Sequence, residues 1–162
     1  MEQHPRKEGL IAERQPEAGP PPGKGLIIMR ILLVDDSVEF LDVAARILSA
    51  DSIVEIVGRA QSGYEALRRV NELRPDLVLM DLAMPGMNGL EATRLIKEDP
   101  LGPKVVILTL HDNREYRTVA EALGADGFVS KSELGTQLQP LIQKLATEHA
   151  SPAKGVEQPS GG

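Results

Sequence analysis

Four short apolar runs in this chain each end directly at a polar residue. Short apolar runs that alternate with helix-like segments are typical of buried parallel strands, whose carboxyl ends meet at one edge of a sheet. Three carboxylates, a hydroxyl and an ammonium are therefore expected to converge at that edge. The runs and the residues that follow them are 31–34 with Asp35 and Asp36, 77–80 with Asp81, 105–108 with Thr109, and 128–129 with Ser130 and Lys131.

The converging carboxylates predict a site for a divalent cation. Neighbouring carboxylates repel one another and raise each other's pKa unless a cation lies among them. A set of oxygen ligands that keeps bound waters suits Mg²⁺. Asp35, Asp36 and Asp81 are therefore candidate ligands in a metal-dependent phosphoryl site.

The segments between the strand-like runs carry helical periodicity. Apolar residues recur at helical spacing after Asp36, beginning with Phe40 and Val43, and β-branched residues at 53–57 predict a further strand. Repeated β-α alternation predicts an α/β domain with a parallel sheet covered by helices on both faces. Further helices are predicted over 61–73 (ended by Pro75), 90–97, 115–123 and 134–145, the last with a candidate kink at Pro140.

The two ends of the chain differ from this middle part in composition. Residues 1–28 and 148–162 are rich in proline, glycine and charge, which predicts a disordered leader and tail around a domain at 29–147. Met29, immediately before the first strand, is an alternative start to Met1.

Composition narrows the function classes. A net charge of −6 argues against nonspecific binding of nucleic acid or anionic membranes. The absence of cysteine excludes disulfides and thiol chemistry and fits a reducing compartment. No apolar stretch approaches the roughly 20 residues that span a bilayer, and the N-terminus lacks the apolar segment of a signal peptide. We therefore expect a cytoplasmic protein.

Four motifs, in this order and each at a strand end, resemble the receiver domains of bacterial response regulators. The resemblance implies a flavodoxin-like (βα)5 doubly wound sheet with strand order 2-1-3-4-5, Mg²⁺ binding, and phosphorylation of Asp81 by a histidine kinase. The motifs are 34–37 (Val-Asp-Asp-Ser), 80–89 (Met-Asp-Leu-Ala-Met-Pro-Gly-Met-Asn-Gly), 108–109 (Leu-Thr) and 127–131 (Gly-Phe-Val-Ser-Lys).

The same resemblance assigns roles in metal binding. Asp81 and Asp36 would bind Mg²⁺ directly, and Asp35 would orient a water of the ion. The backbone carbonyl of Ala83 would supply a further oxygen, which requires no particular side chain.

The remaining roles concern the phosphoryl group. Asp81 would be the nucleophile, because a carboxylate can attack phosphorus and form an acyl phosphate. Thr109 would hydrogen-bond a phosphoryl oxygen, and Lys131 would pair with Asp81 or its phosphate. Phe128 matches the switch aromatic of the family, which would turn inward as Thr109 moves toward the phosphate.

Each role has a structural alternative. Asp36 or Thr109 could cap the following helix, Lys131 could be a solvated surface charge, and Phe128 could be core only. His111 could be a phosphoacceptor or a ligand, although an exposed loop histidine is the simpler interpretation.

Three other function classes remain open. A haloacid-dehalogenase-type phosphatase also uses a strand-end aspartate with Mg²⁺, but it carries a second aspartate where this chain has Ala83. A Rossmann nucleotide-binding module lacks its glycine-rich signature here, since no G-x-G-x-x-G follows the first strand. A receiver-like scaffold that is never phosphorylated is the third class. We therefore predict a phosphoacceptor rather than an enzyme.

The resemblance also implies partners. A histidine kinase or phosphotransfer protein would supply the phosphoryl group, and the output would be contact with an effector protein or a phosphorylation-dependent homodimer. About 15 residues follow the last predicted helix, which favours a stand-alone receiver without membrane or nucleic-acid contacts. The receiver half of a DNA-binding regulator is the alternative.

Overall fold

The computed structural model describes residues 27–110 and 113–149. In this part of the chain, five parallel strands pair in the order β2-β1-β3-β4-β5, so the predicted flavodoxin-like sheet is confirmed. The strands and helices alternate along the chain as β1 (Met29–Val34), α1 (Val38–Ser49), β2 (Val54–Ala60), α2 (Gly63–Leu73), β3 (Leu77–Asp81), α3 (Gly89–Ile96), β4 (Lys104–Thr109), α4 (Arg114–Ala122), β5 (Gly127–Ser130) and α5 (Gln139–His149).

Both faces of the sheet are buried, because successive residues of each strand point to opposite sides. In β1, Ile31 and Leu33 pack with residues of α1 and α5, whereas Leu32 and Val34 pack with residues of α2, α3 and α4. The resulting two apolar layers leave the carboxyl ends of the strands as the place where polar side chains collect.

Four helices begin at a polar residue whose side chain accepts a backbone N–H of the first turn. These residues are Ser37 for α1, Ser62 for α2, Asn88 for α3 and Asn113 for α4. The cap at Ser62 explains why α2 begins at Gly63 rather than at residue 61, and Gln61 instead donates its backbone N–H to Glu65.

Two elements differ from the sequence prediction. Strand β2 runs to Ala60, three residues beyond the predicted end, because its register with β1 shifts between Ile31 and Leu32 and pairing continues to Val34. Ahead of α5 lie a 3-10 turn (Lys131–Glu133) and a π-helical turn (Leu134–Leu138). Pro140 has no N–H to donate to the carbonyl four residues earlier. The irregularity predicted at Pro140 therefore lies in the two turns that precede it.

The predicted leader lies outside the described residues except for its last two, and the predicted tail except for its first two, which extend α5 to His149. Within the described ranges, every helix is too short or too polar to cross a bilayer.

Gly89 allows α3 to start against the end of β3. Its backbone N–H donates to Leu82, and an added Cβ would lie 2.1 Å from the backbone oxygen of Asp81. A side chain at this position would therefore displace the strand end that carries Asp81. Gly135, in the π-helical turn, has no atom within 4 Å of an added Cβ.

We expect Gly89→Ala to destabilise the fold by about 1 to 3 kcal/mol, because the methyl group must push against backbone rather than a flexible side chain. Gly135→Ala is the matched control and should be neutral or stabilising by up to about 1 kcal/mol. Urea denaturation followed by circular dichroism measures both, and equal stabilities of the two variants would contradict the close-packing argument.

Candidate functional site

The strand register brings the acidic residues together. Val34 of β1 pairs with Met80 of β3, so the residues that follow them, Asp35 and Asp81, emerge side by side. One ligand oxygen from each of Asp35, Asp36 and Asp81 lies within 4.8 Å of the others. Asp35 and Asp81 are 1% and 5% exposed, whereas Asp36 faces solvent. The cluster therefore has a buried base and one open side.

Lys131 enters this cluster from the end of β5. Its Nζ donates to Asp35 Oδ2 at 2.5 Å and lies 3.0 Å from Asp81 Oδ1. The lysine side chain is only 9% exposed, so the alternative of a solvated surface charge is wrong. One ammonium thus partly neutralises two buried carboxylates, and with Asp36 the group keeps two net negative charges.

The electrostatics of the site shift two pKa values. Burial, opposed by Lys131 but aided by Asp35 and Asp36, raises the pKa of Asp81 from 3.8 to about 6. Burial lowers the pKa of Lys131, but its contacts with Asp35 and Asp81 outweigh burial and leave that pKa above its usual value. An added cation beside Asp81 would favour its ionised form.

Asp35 also organises the start of α1. Its Oδ1 accepts the backbone N–H of Ser37, and Ser37 Oγ accepts the backbone N–H of Phe40 to cap the helix. Because Ser37 is the cap of α1, the capping interpretation of Asp36 is wrong. That of Thr109 is wrong for the same reason, since Asn113 caps α4.

Thr109 lies on β4, the neighbour of β3, and Phe128 lies on β5, the strand beyond it at the edge of the sheet. Thr109 ends β4 one residue after the register partner of Asp81 and is 2% exposed. It lines a depression of about 500 Å³ together with Ala83, from the loop after β3, and Tyr116. Phe128, 8% exposed, pairs in register with Ile107. His111 lies outside the described residues.

Three contacts were not anticipated from the sequence. Lys131 binds Asp35 as well as Asp81, Phe40 of α1 places its ring centroid 4.2 Å from Lys131 Nζ, and Arg117 of α4 lies 4.6 Å above the ring of Phe128. Each contact joins residues from different elements, so only the tertiary arrangement reveals it.

The chain matches a family profile described as the response regulator receiver domain over residues 31–143. It is 36% identical over 118 residues to the response regulator protein VraR of Staphylococcus saprophyticus, covering 72% of this chain and 56% of VraR. It is 46% identical over 99 residues to a protein-glutamate methylesterase/protein-glutamine glutaminase of Nocardioides, covering 60% of this chain and 26% of that protein. The chain thus spans about half of VraR and a quarter of the methylesterase.

The fold is also shared with solved structures. The signal receiver domain of the putative response regulator NarL from Mycobacterium tuberculosis superposes with a TM-score of 0.70 at 29% identity, covering 75% of this chain and 98% of that domain. The response regulator domain of CheB from Thermotoga maritima gives a TM-score of 0.66 at 27% identity, covering 73% and 96%. Sequence and fold therefore lead to the same family.

Asp81→Asn should stabilise the metal-free protein at pH 7.5 by about 1 to 3 kcal/mol. The folded-state pKa of Asp81, about 6, exceeds its usual 3.8, so the folded wild type binds an extra proton between these values. Its stability should therefore fall as pH rises from about 4 to about 6 and stay lower above that, whereas the asparagine does not titrate.

Urea denaturation in EDTA at pH 5 and pH 7.5 measures the difference, which should shrink at the lower pH. Glu121→Gln, which removes an exposed carboxylate on α4, is the control and should leave the stability nearly unchanged at both pH values. An Asp81→Asn variant less stable than the wild type at pH 7.5 would show that ionised Asp81 is not strained by burial.

Proposed function

The chain belongs to the response regulator receiver domain family, and from this premise we propose that Asp81 is its phosphoacceptor in an Mg²⁺-dependent reaction. The observation that carries the proposal is the position of Asp81, buried at the end of β3 with Lys131 Nζ 3.0 Å from its carboxylate. Among the described aspartates near the strand ends, Asp81 is the one that both contacts this ammonium and lies beside Thr109 at the end of the neighbouring strand.

The residues present suit Mg²⁺. One oxygen from each of Asp35, Asp36 and Asp81 lies within 4.8 Å of the others. Lys131 balances one of the three negative charges, and a divalent ion would balance the other two. Asp36, which is exposed, and Asp81, which is buried, would bind the ion together with the backbone carbonyl of Ala83. Asp35, whose two oxygens already accept from Ser37 and Lys131, would orient a water of the ion. When bound, Mg²⁺ would draw charge from the phosphoryl oxygens.

In the proposed transfer, a carboxylate oxygen of Asp81 attacks the phosphorus of a phosphohistidine. The O–P bond forms as the P–N bond breaks, and the imidazole nitrogen leaves with the electron pair, giving an acyl phosphate. The Lys131 ammonium moves from the Asp81 carboxylate to a phosphoryl oxygen and balances its charge. The Thr109 hydroxyl donates a hydrogen bond to another phosphoryl oxygen.

We further propose that Thr109 and Phe128 transmit phosphorylation to the surface of α4, β5 and α5. As Thr109 turns toward the phosphate, it leaves space beside β4 that the Phe128 ring can enter. The contact of Arg117 with this ring supports the proposal, since movement of Phe128 would alter the α4 surface. Such a switch is a shift between two populated states of one element.

Receiver domains act with histidine kinases and effectors, and we propose both partners for this chain in the cytoplasm. A histidine kinase or phosphotransfer protein would phosphorylate Asp81, and the changed surface would contact an effector or a second copy. Since the chain spans only part of relatives such as VraR, the DNA-binding regulator stays an alternative for the whole protein. We propose no enzymatic turnover beyond self-phosphorylation and dephosphorylation. The methylesterase relative is similar to this chain over only 26% of the methylesterase's own length.

Acetyl phosphate with Mg²⁺ should add one phosphoryl group to the wild-type protein and none to Asp81→Asn, as measured by intact-protein mass spectrometry. Asp42→Asn, which changes an exposed aspartate paired with Arg59, is the control and should be modified like the wild type. Phosphate retained in Asp81→Asn would place the acceptor elsewhere, with His111 the next candidate. An unmodified wild type would favour the scaffold alternative, and rapid turnover would favour a phosphatase.

Mg²⁺ should raise the thermal midpoint of the wild type, because a ligand that binds only the folded state stabilises it by about 2.7 kcal/mol at 100 times its Kd. Asp36→Asn should lose most of this gain, while Glu39→Gln, a nearby exposed carboxylate on α1, should keep it. Differential scanning calorimetry with millimolar MgCl2 or EDTA tests this. Coinciding wild-type curves would rule out the metal site.

A further inference from the structure

Phe40 of α1 contacts the cation of the proposed phosphorylation site. It lies in the first turn of the helix, where its backbone N–H is held by Ser37 and Ser37 is held by Asp35. The ring packs partly against the apolar layer under α1 and places its centroid 4.2 Å from Lys131 Nζ. The cap of α1 thus fixes where this ring lies.

The Lys131 ammonium therefore has three attractive neighbours. Its Nζ lies 2.5 Å from Asp35 Oδ2 and 3.0 Å from Asp81 Oδ1, and it also lies over the ring of Phe40. The face of an aromatic ring is electronegative and attracts a cation most strongly when the cation is shielded from water. Lys131, with a side chain 9% exposed, meets that condition.

We propose that Phe40 is a positioning residue whose ring holds the Lys131 ammonium over Asp81 during phosphoryl transfer. The inference rests on the proposed function of Asp81. A carboxylate holds an ammonium by directed hydrogen bonds, and those with Asp81 must change once that carboxylate carries phosphorus. A ring face attracts a cation without a directed bond, so Phe40, together with Asp35, keeps Lys131 at the site while its oxygen partner at Asp81 changes.

The simpler role for Phe40 is apolar packing. Phe40 borders a groove of about 580 Å³ between α1 and the turns before α5, and Val43 and Ile47 of the same helix line it too. If packing were the whole role, leucine would serve nearly as well as phenylalanine. If the ring face matters, tyrosine should replace phenylalanine and leucine should not.

Nuclear magnetic resonance tests the contact directly. Methylene protons that lie over a ring are shifted upfield by its ring current, so the Lys131 Cε protons should resonate upfield of those of the other lysines. Phe40→Leu should abolish this shift, whereas Phe40→Tyr and the groove control Val43→Ala should retain it. Equal Lys131 shifts in wild type and Phe40→Leu would overturn the proposal.

Phosphorylation kinetics test the consequence. With phosphoramidate and Mg²⁺, Phe40→Leu should react about three- to tenfold more slowly than the wild type. Phe40→Tyr, which keeps the ring face, should stay within about twofold. Val43→Ala should react at the wild-type rate, and urea denaturation checks that all variants are folded under the assay conditions.

The outcomes separate the two proposals. A wild type that takes up no phosphate overturns the function of Asp81, and the positioning role with it, whatever the resonances show. A wild type that reacts while Phe40→Leu keeps the same rate leaves Asp81 as the acceptor and overturns only the role of Phe40. Equal slowing in Phe40→Leu and Phe40→Tyr also overturns it, since the ring face that tyrosine keeps would then not determine the rate.

Discussion

The Lys131 ammonium joins the ends of three strands. It follows β5 and contacts Asp35 after β1 and Asp81 at the end of β3. Without it, two carboxylates that are almost fully buried would repel each other in a region poorly solvated by water. The shared cation allows the strand ends to stay close. Because the pKa of Asp81 is still raised, Lys131 offsets only part of the cost of burying this carboxylate. The remaining negative charge is what makes the cluster suited to a divalent ion.

The carboxylate of Asp35 also links the site to α1. Asp35 uses one oxygen for Lys131 and the other for the backbone of Ser37, whose hydroxyl begins the helix. On the opposite side of the site, Gly89 brings α3 against the backbone of Asp81. The carboxylate of Asp81, which we propose as the acceptor, is therefore held by a strand, a helix start and an ammonium, and phosphoryl transfer requires such preorganisation.

The sequence predicted the strands, the five helices and the edge where the acidic residues meet, because these follow from local apolar periodicity and strand-end position. The order of the strands came from resemblance, and the contacts across them could not be read from spacing. Phe40 shares the helical periodicity of a core residue, and only its place in the first turn brings it to the sheet edge. The last three residues of β2 were not predicted as strand, because the length of β2 depends on its pairing with β1.

Both phenylalanines of this chain lie against a cation, and apart from their rings the two described core clusters contain no aromatic side chain. The two contacts differ in how far the cation is removed from water. Lys131 is buried, so its attraction to Phe40 is strong, whereas Arg117 is only half-buried and its attraction to Phe128 is weaker. Under the positioning role that we propose for Phe40, a strong contact suits a ring that holds one position throughout phosphoryl transfer. Under the switch role that we propose for Phe128, a weak contact suits a ring that turns, because little free energy would be lost when the ring left Arg117.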